Sequence, residues 1–141
     1  MKSSSLSLYM KTEIIVLVLT TLLSSQIAVM GHVKLMELLF YTDFDLNQRD
    51  WRDETPFMVS CYGGHTEIVK LMMNKSKEFS IDLNKGDDSG MTGFKWTSIK
   101  GHTTLVNFMI NSSKEFDIAS INAMTVERRA LCLLAKMTKK K

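Results

Sequence analysis

Gly64-His65-Thr66-Glu67-Ile68-Val69-Lys70-Leu71-Met72-Met73 recurs as Gly101-His102-Thr103-Thr104-Leu105-Val106-Asn107-Phe108-Met109-Ile110, and Gly31-His32-Val33-Lys34-Leu35-Met36-Glu37-Leu38-Leu39-Phe40 keeps the same apolar spacing. The three Gly-His pairs stand 33 and then 37 residues apart. Their flanks repeat with them. Thr55–His65 (TPFMVSCYGGH) matches Thr92–His102 (TGFKWTSIKGH), and Lys77-Glu78-Phe79 returns as Lys114-Glu115-Phe116. A period of this size, shared by independent landmarks, is the signature of a linear array of small structural units.

Each unit reads as two helices. After Gly-His, Ile68, Val69, Leu71 and Met72 fall on one helical face, as do Leu105, Val106, Phe108 and Met109, and Leu35, Met36, Leu38 and Leu39 before them. Ahead of Gly-His, Thr55 is a helix cap and Pro56, the only proline of the chain, suits a first helical position where no N–H is needed. The first helix then runs from about residue 56 to Gly63-Gly64, where left-handed backbone comes easily. Its counterpart runs from Gly93 to Lys100. Polar, turn-rich stretches at Asp45–Asp50 and Asp82–Gly90 connect the units.

These residues resemble the ankyrin-repeat family, whose D-x-x-G-x-T-P-L-H-x-A…G-H-x-E-I-V-K-L-L-L…D-V-N pattern is met by Asp50–Phe57, Gly64–Leu71 and Asp82-Leu83-Asn84, and again by Asp87–Phe94. The resemblance implies an all-α solenoid of stacked helix-turn-helix units with β-hairpin-like finger loops, about three repeats over residues 31–137. It further implies a protein-binding role in the cytoplasm. Departures are visible. Asp53 replaces the turn glycine, Gly93 replaces the proline and should loosen that helix start, and the first-helix histidine becomes Met58 and Lys95. Two repeats carry four extra residues, assigned to KSKEF and SSKEF loops.

The ends are less regular. Extending the period forward makes Arg128–Lys136 a degenerate capping helix, with 138–141 a basic tail. Extending it back by 33 from Thr55 reaches Leu22, but Ser24 and Gln26 stand where large apolar residues are wanted, so the first repeat is expected to be intact only in its second helix. Residues 1–30 form a separate apolar segment, Ile14–Leu23 and Ile27–Met30, which suits either a packed helix or a signal or membrane anchor. Asn74-Lys75-Ser76 and Asn111-Ser112-Ser113 match the glycosylation pattern at equivalent positions, expected to be loops.

With 141 residues, 45% hydrophobic and 23% charged, the chain has material for one ordinary domain and is neither collagen-like nor disulfide-dense. A net charge of +3, mixed in sign along the chain, does not point to nucleic acid. Cys61 and Cys132 demand no bridge, and Cys61 is expected as a small buried side chain between helices. His32, His65 and His102 recur at one repeat position and so read as rungs of a stack, not as a converging catalytic set. No zinc-ligand or phosphate-loop spacing is present, and Asp82–Gly93 lacks the final glutamate of a calcium loop. Neither cofactor nor metal is implied, and a non-enzymatic, monomeric adaptor is expected.

Recognition then falls to the exposed repeat surface. By motif position the partner-binding residues are Trp51, Arg52 and Glu54 on one finger, Asp88, Ser89 and Met91 on the next, and Met58, Tyr62, Lys95, Ile99 and Lys100 on the first helices. Trp51 beside Arg52 is the sharpest pair, since both types are enriched at binding hot spots. Trp96, at the position of Val59, is expected in the core. A membrane is a further possible partner through residues 14–30.

Overall fold

The computed structural model describes residues 2–119 and 121, and within them six helices in two rows. These are α1 (Lys2–Met30), α2 (Val33–Leu39), α3 (Pro56–Gly63), α4 (Thr66–Lys75), α5 (Gly93–Ile99) and α6 (Thr103–Phe116). The first helices α1, α3 and α5 pack side by side, the second helices α2, α4 and α6 do the same, and each second helix folds back on its own first helix. The architecture is an all-α repeat stack. The capping helix expected at Arg128–Lys136, the tail at 138–141 and Cys132 lie outside the described residues.

The helix starts follow from their caps. Thr55 Oγ1 accepts the Met58 N–H at 3.3 Å with Pro56 at the first helical position, and Thr92 Oγ1 accepts the Lys95 N–H at 3.4 Å. Gly64 ends α3 in left-handed backbone at φ 70°. The second helices have no capping side chain, and before α4 and α6 the histidine is turned across to the preceding repeat. His65 Nε2 donates to the Val29 carbonyl at 2.7 Å and His102 Nε2 to that of Tyr62 at 2.9 Å. The rings lie on the preceding turn glycines: a Cβ on Gly31 or Gly64 would come within 2.6–2.7 Å of the His65 or His102 ring. Two of the expected rungs, His65 and His102, are therefore hydrogen-bonded joints between repeats, whereas His32 is exposed at the first repeat.

The fingers are tied by a second ladder. Asn47 Nδ2 donates to the Ser80 carbonyl at 2.8 Å while its Oδ1 accepts from Asp82 N at 2.7 Å. One repeat on, Asn84 makes the same pair to the Asp117 carbonyl and the Ala119 N–H, at 3.0 and 2.9 Å.

A single apolar layer runs between the two rows. Met36, Met72, Met73 and Met109 are fully buried in it beside Ile68, Leu105 and Phe57, so flexible thioethers fill positions where the motif favours leucine. Ser60 Oγ and Thr97 Oγ1 bond to backbone carbonyls one turn back and approach the Met72 and Met109 sulfurs at 4.0 and 3.9 Å.

Several expectations are corrected by the packing. Ser24, Ser25, Ile27 and Ala28 are buried, so the last turns of α1 supply the first helix of the first repeat. Among the described helices α1 packs chiefly on α3 and α2. Gly93 does not loosen α5: a Cβ on it would meet Phe57 Cε1 at 2.8 Å and Cys61 Sγ at 3.0 Å, so the missing side chain is what lets α5 approach α3. The SSKEF segment is not a loop but the last turn of α6. Asn74 and Asn111 likewise lie within α4 and α6, on their exposed faces.

Before Ser24, α1 leaves apolar side chains exposed on all sides, with Ile14, Val16 and Leu19 each more than half accessible. Among the described residues, no helix is long and apolar enough to cross a membrane.

Candidate functional site

Each finger is built on an aspartate. Asp50 Oδ1 accepts from the N–H groups of Arg52 and Glu54, and Asp87 Oδ1 from those of Ser89 and Met91, so that four hydrogen bonds hold the two finger turns. Asp50 N–H to the Glu54 carbonyl (2.9 Å) and Asp87 N–H to that of Met91 (3.1 Å) close two small hairpins. The turn residues Asp53 and Gly90 are left-handed at φ 63° and 71°. Asp53 takes the glycine conformation as anticipated, with Arg49 paired to its carboxylate.

The first finger leans over the row of first helices and with them encloses a cavity of about 430 Å³. Its walls are Trp51, Arg52 and Glu54 from the finger, Tyr62 from α3, Trp96 from α5, and Leu22, Gln26 and Val29 from α1. Three successive first helices thus contribute to one concavity. Trp51 is 79% exposed, with the Arg52 guanidinium 4.8 Å from its ring centre. The Tyr62 ring meets that of Trp96 edge-on at 5.3 Å and carries the Lys100 ammonium at 4.2 Å on its face. Trp96 Nε1 donates to Asp87 Oδ2 at 3.2 Å.

Charge concentrates at the mouth. The Glu54 carboxyl is pushed above its ordinary value by partial burial, with Asp50 and Asp87 adding repulsion and Arg52 opposing it. On the neighbouring finger, Asp88 is raised by its hydrogen bond to the Asp53 carboxyl.

Of the anticipated recognition residues, Trp51, Arg52, Glu54 and Tyr62 come together at the cavity, and Lys100 joins them through Tyr62. Asp88, Ser89, Met91 and Lys95 sit on the second finger and beside it, with Lys95 Nζ bonded to the Gly90 carbonyl, and Ile99 is exposed next along the row. Met58 is the correction. It is 1% exposed, because it lies between two packed repeats, and it belongs to the core. Trp96 is the converse: its indole outgrows the space that Val59 fills and half emerges into the cavity. The contributions of α1 were also missed. The signal was present in the period, since Gln26, Val59 and Trp96 are one repeat column and Val29, Tyr62 and Ile99 another.

Cys61 is free and fully buried, its thiol pushed up to about 12 by burial, which keeps it protonated and unreactive. Among the described residues no three His, Cys, Asp or Glu side chains converge on a point that could hold a metal ion.

The succession of paired helices, tied by histidine and asparagine ladders and leaving finger tips and first helices open, defines a helical repeat protein. A sequence profile of ankyrin repeats, in three copies, matches residues 24–122, and the chain belongs to the ankyrin-repeat family. Repeats of this family mediate protein–protein interaction and are typically non-catalytic. No curated protein matches the chain. Among solved structures it is similar to a chain of the complex between the predatory endopeptidase Bd0816 of Bdellovibrio bacteriovorus and the immunity protein Bd3460. That likeness has 23% identity and a TM-score of 0.55, covers 63% of this chain and 45% of the other, and is one of fold.

Proposed function

We propose that the chain is a non-enzymatic adaptor that binds an extended protein segment across its finger tips and first helices, with the cavity as anchor point. The observation that carries this is the 430 Å³ concavity, where Trp51 and Tyr62 from one repeat and Trp96 from the next present aromatic surface to solvent. Aromatic and arginine side chains in a partly desolvated pocket are the usual anchors of an interface. Arg52, Glu54 and Lys100 give the rim its polarity, and Ile99 with Asp88, Ser89, Met91 and Lys95 extends the surface toward the second finger. The solved endopeptidase–immunity protein complex supports the reading to the extent that a related fold occurs there in a protein assembly. A free, buried thiol suits the reducing cytoplasm.

The test is selection of a displayed random-peptide library on the immobilised protein. A shared consensus should emerge on the wild type and be lost on a Trp51→Ala/Tyr62→Ala variant that keeps its helical circular dichroism. Equal enrichment on both would refute the site.

The exposed apolar flank of α1 favours a second reading, attachment of the stack to a lipid surface. Flotation with phosphatidylcholine vesicles should then require apolar residues 14–19, and an Ile14→Ser/Val18→Ser variant that floats equally well would exclude it.

A further inference from the structure

The chemistry of the cavity narrows what its partner must supply, an inference that rests on the concave-face reading above. Glu54 is half-buried in the wall, and among the described residues its carboxylate makes no hydrogen bond or ion pair. Asp50 stands beside it in the same wall, and Asp87 holds the rim through Trp96. Two cations lie nearby, yet each is placed elsewhere: Arg52 on the face of Trp51 and Lys100 on the face of Tyr62. The three carboxylates outnumber these cations, and partial burial, with repulsion from Asp50 and Asp87 added to it and Arg52 opposing, disfavours the ionised form of Glu54. Beside Glu54 the wall is mostly apolar and aromatic, from Leu22, Val29, Tyr62 and Trp96, with Ser25 and Gln26 as neutral polar members and Arg52 only partly offsetting the carboxylates. A mostly apolar wall with an excess of carboxylate complements a side chain with an aliphatic stem and a cationic head.

We propose that the cavity receives an arginine or lysine side chain of the partner segment, its stem against Tyr62 and Trp96 and its charge on Glu54. An incoming cation relieves the carboxylate repulsion at the moment of binding. Neither an acidic nor a purely apolar side chain does so.

The two tryptophans of the chain, Trp51 and Trp96, both line the cavity, so intrinsic emission reports its occupancy. The probes are acetyl-Gly-Gly-Arg-Gly-Gly-amide, its lysine counterpart, and versions with norleucine or citrulline at the central position. The basic peptides should change tryptophan emission saturably, and the norleucine and citrulline peptides should bind at least about fivefold more weakly, as a partly desolvated charge pair requires. Glu54→Gln should weaken the arginine peptide by about the same factor with unchanged circular dichroism. Glu67→Gln, which removes an equal charge from α4, should leave it unaltered. Norleucine binding as tightly as arginine, or Glu67→Gln weakening binding as much as Glu54→Gln, would overturn the charge assignment while leaving recognition at the concave face standing. No response to any peptide would overturn the proposal outright. Whether the adaptor reading falls with it is decided by the library selection, which presupposes no basic side chain.

Discussion

Replacing Gly93 by Ala isolates the contact on which the row of first helices depends. Gly93 lies in the first turn of α5 with ordinary backbone, so alanine is tolerated by the main chain and any penalty comes from space alone. The added methyl would stand 2.8 Å from Phe57 Cε1 and 3.0 Å from Phe57 Cδ1 and Cys61 Sγ. Phe57 is itself 1% exposed and cannot swing away without moving α3. Overpacking of this kind costs about 1–3 kcal/mol. Alanine returns up to about 1 kcal/mol in helix propensity, less in a first turn. The net loss is therefore roughly 1–2 kcal/mol, or about 3–8 °C in Tm for a domain of this size. Urea unfolding followed by circular dichroism at 222 nm measures it. Phe57→Leu should cost less in the Gly93→Ala background than in the wild type, giving a coupling of about 0.5 kcal/mol or more. A neutral or stabilising Gly93→Ala would show that the approach of α5 to α3 is not set by this glycine.

Three further outcomes follow from the same geometry. In a Cys132→Ser background, Cys61 should react with Ellman's reagent only once urea unfolds the stack, because the thiol is buried and protonated; prompt labelling in buffer would contradict its placement. Asn47→Ala removes two hydrogen bonds between adjacent fingers and should lower stability by about 1–2 kcal/mol, with faster amide exchange at Asp82; an unchanged exchange rate would break the ladder assignment. Glu54 in the folded chain holds its proton more tightly than in the unfolded chain, so its contribution to stability falls as pH rises from 4.5 through the raised value. Glu54→Gln should gain on the wild type between pH 4 and pH 7 in urea titrations, and a constant gap would deny the shift.

The stack was legible because its joints are spelled out residue by residue. Thr55 and Thr92 cap their helices as the spacing predicts, and the three Gly-His pairs mark the turns at which successive repeats meet. What the pattern misplaced depends on neighbours, not on type. Met58 and Lys95 share one repeat column, yet Met58 is sealed between repeats whereas Lys95 reaches out to the Gly90 carbonyl. Val59 and Trp96 also share a column, and only side-chain volume sends one inward and the other into the cavity. Ser24 and Ser25 fail the apolar pattern of a first helix but are buried all the same, so burial here is set by the packing of α1 on its neighbours and not by residue type. The finger side of the site was therefore visible in the sequence. The α1 wall and Trp96 were visible only as columns of the repeat.

The ladders that join the repeats span similar distances along the chain: 36 and 40 residues for the histidines, 33 and 35 for the asparagines. None of these contacts waits for a distant partner. On a ribosome adding about 5–20 residues per second, each repeat is completed by the next one within a few seconds of its own emergence. The cavity matures on the same schedule. Its α1, finger and α3 walls assemble first, and it closes when Trp96 arrives one repeat later.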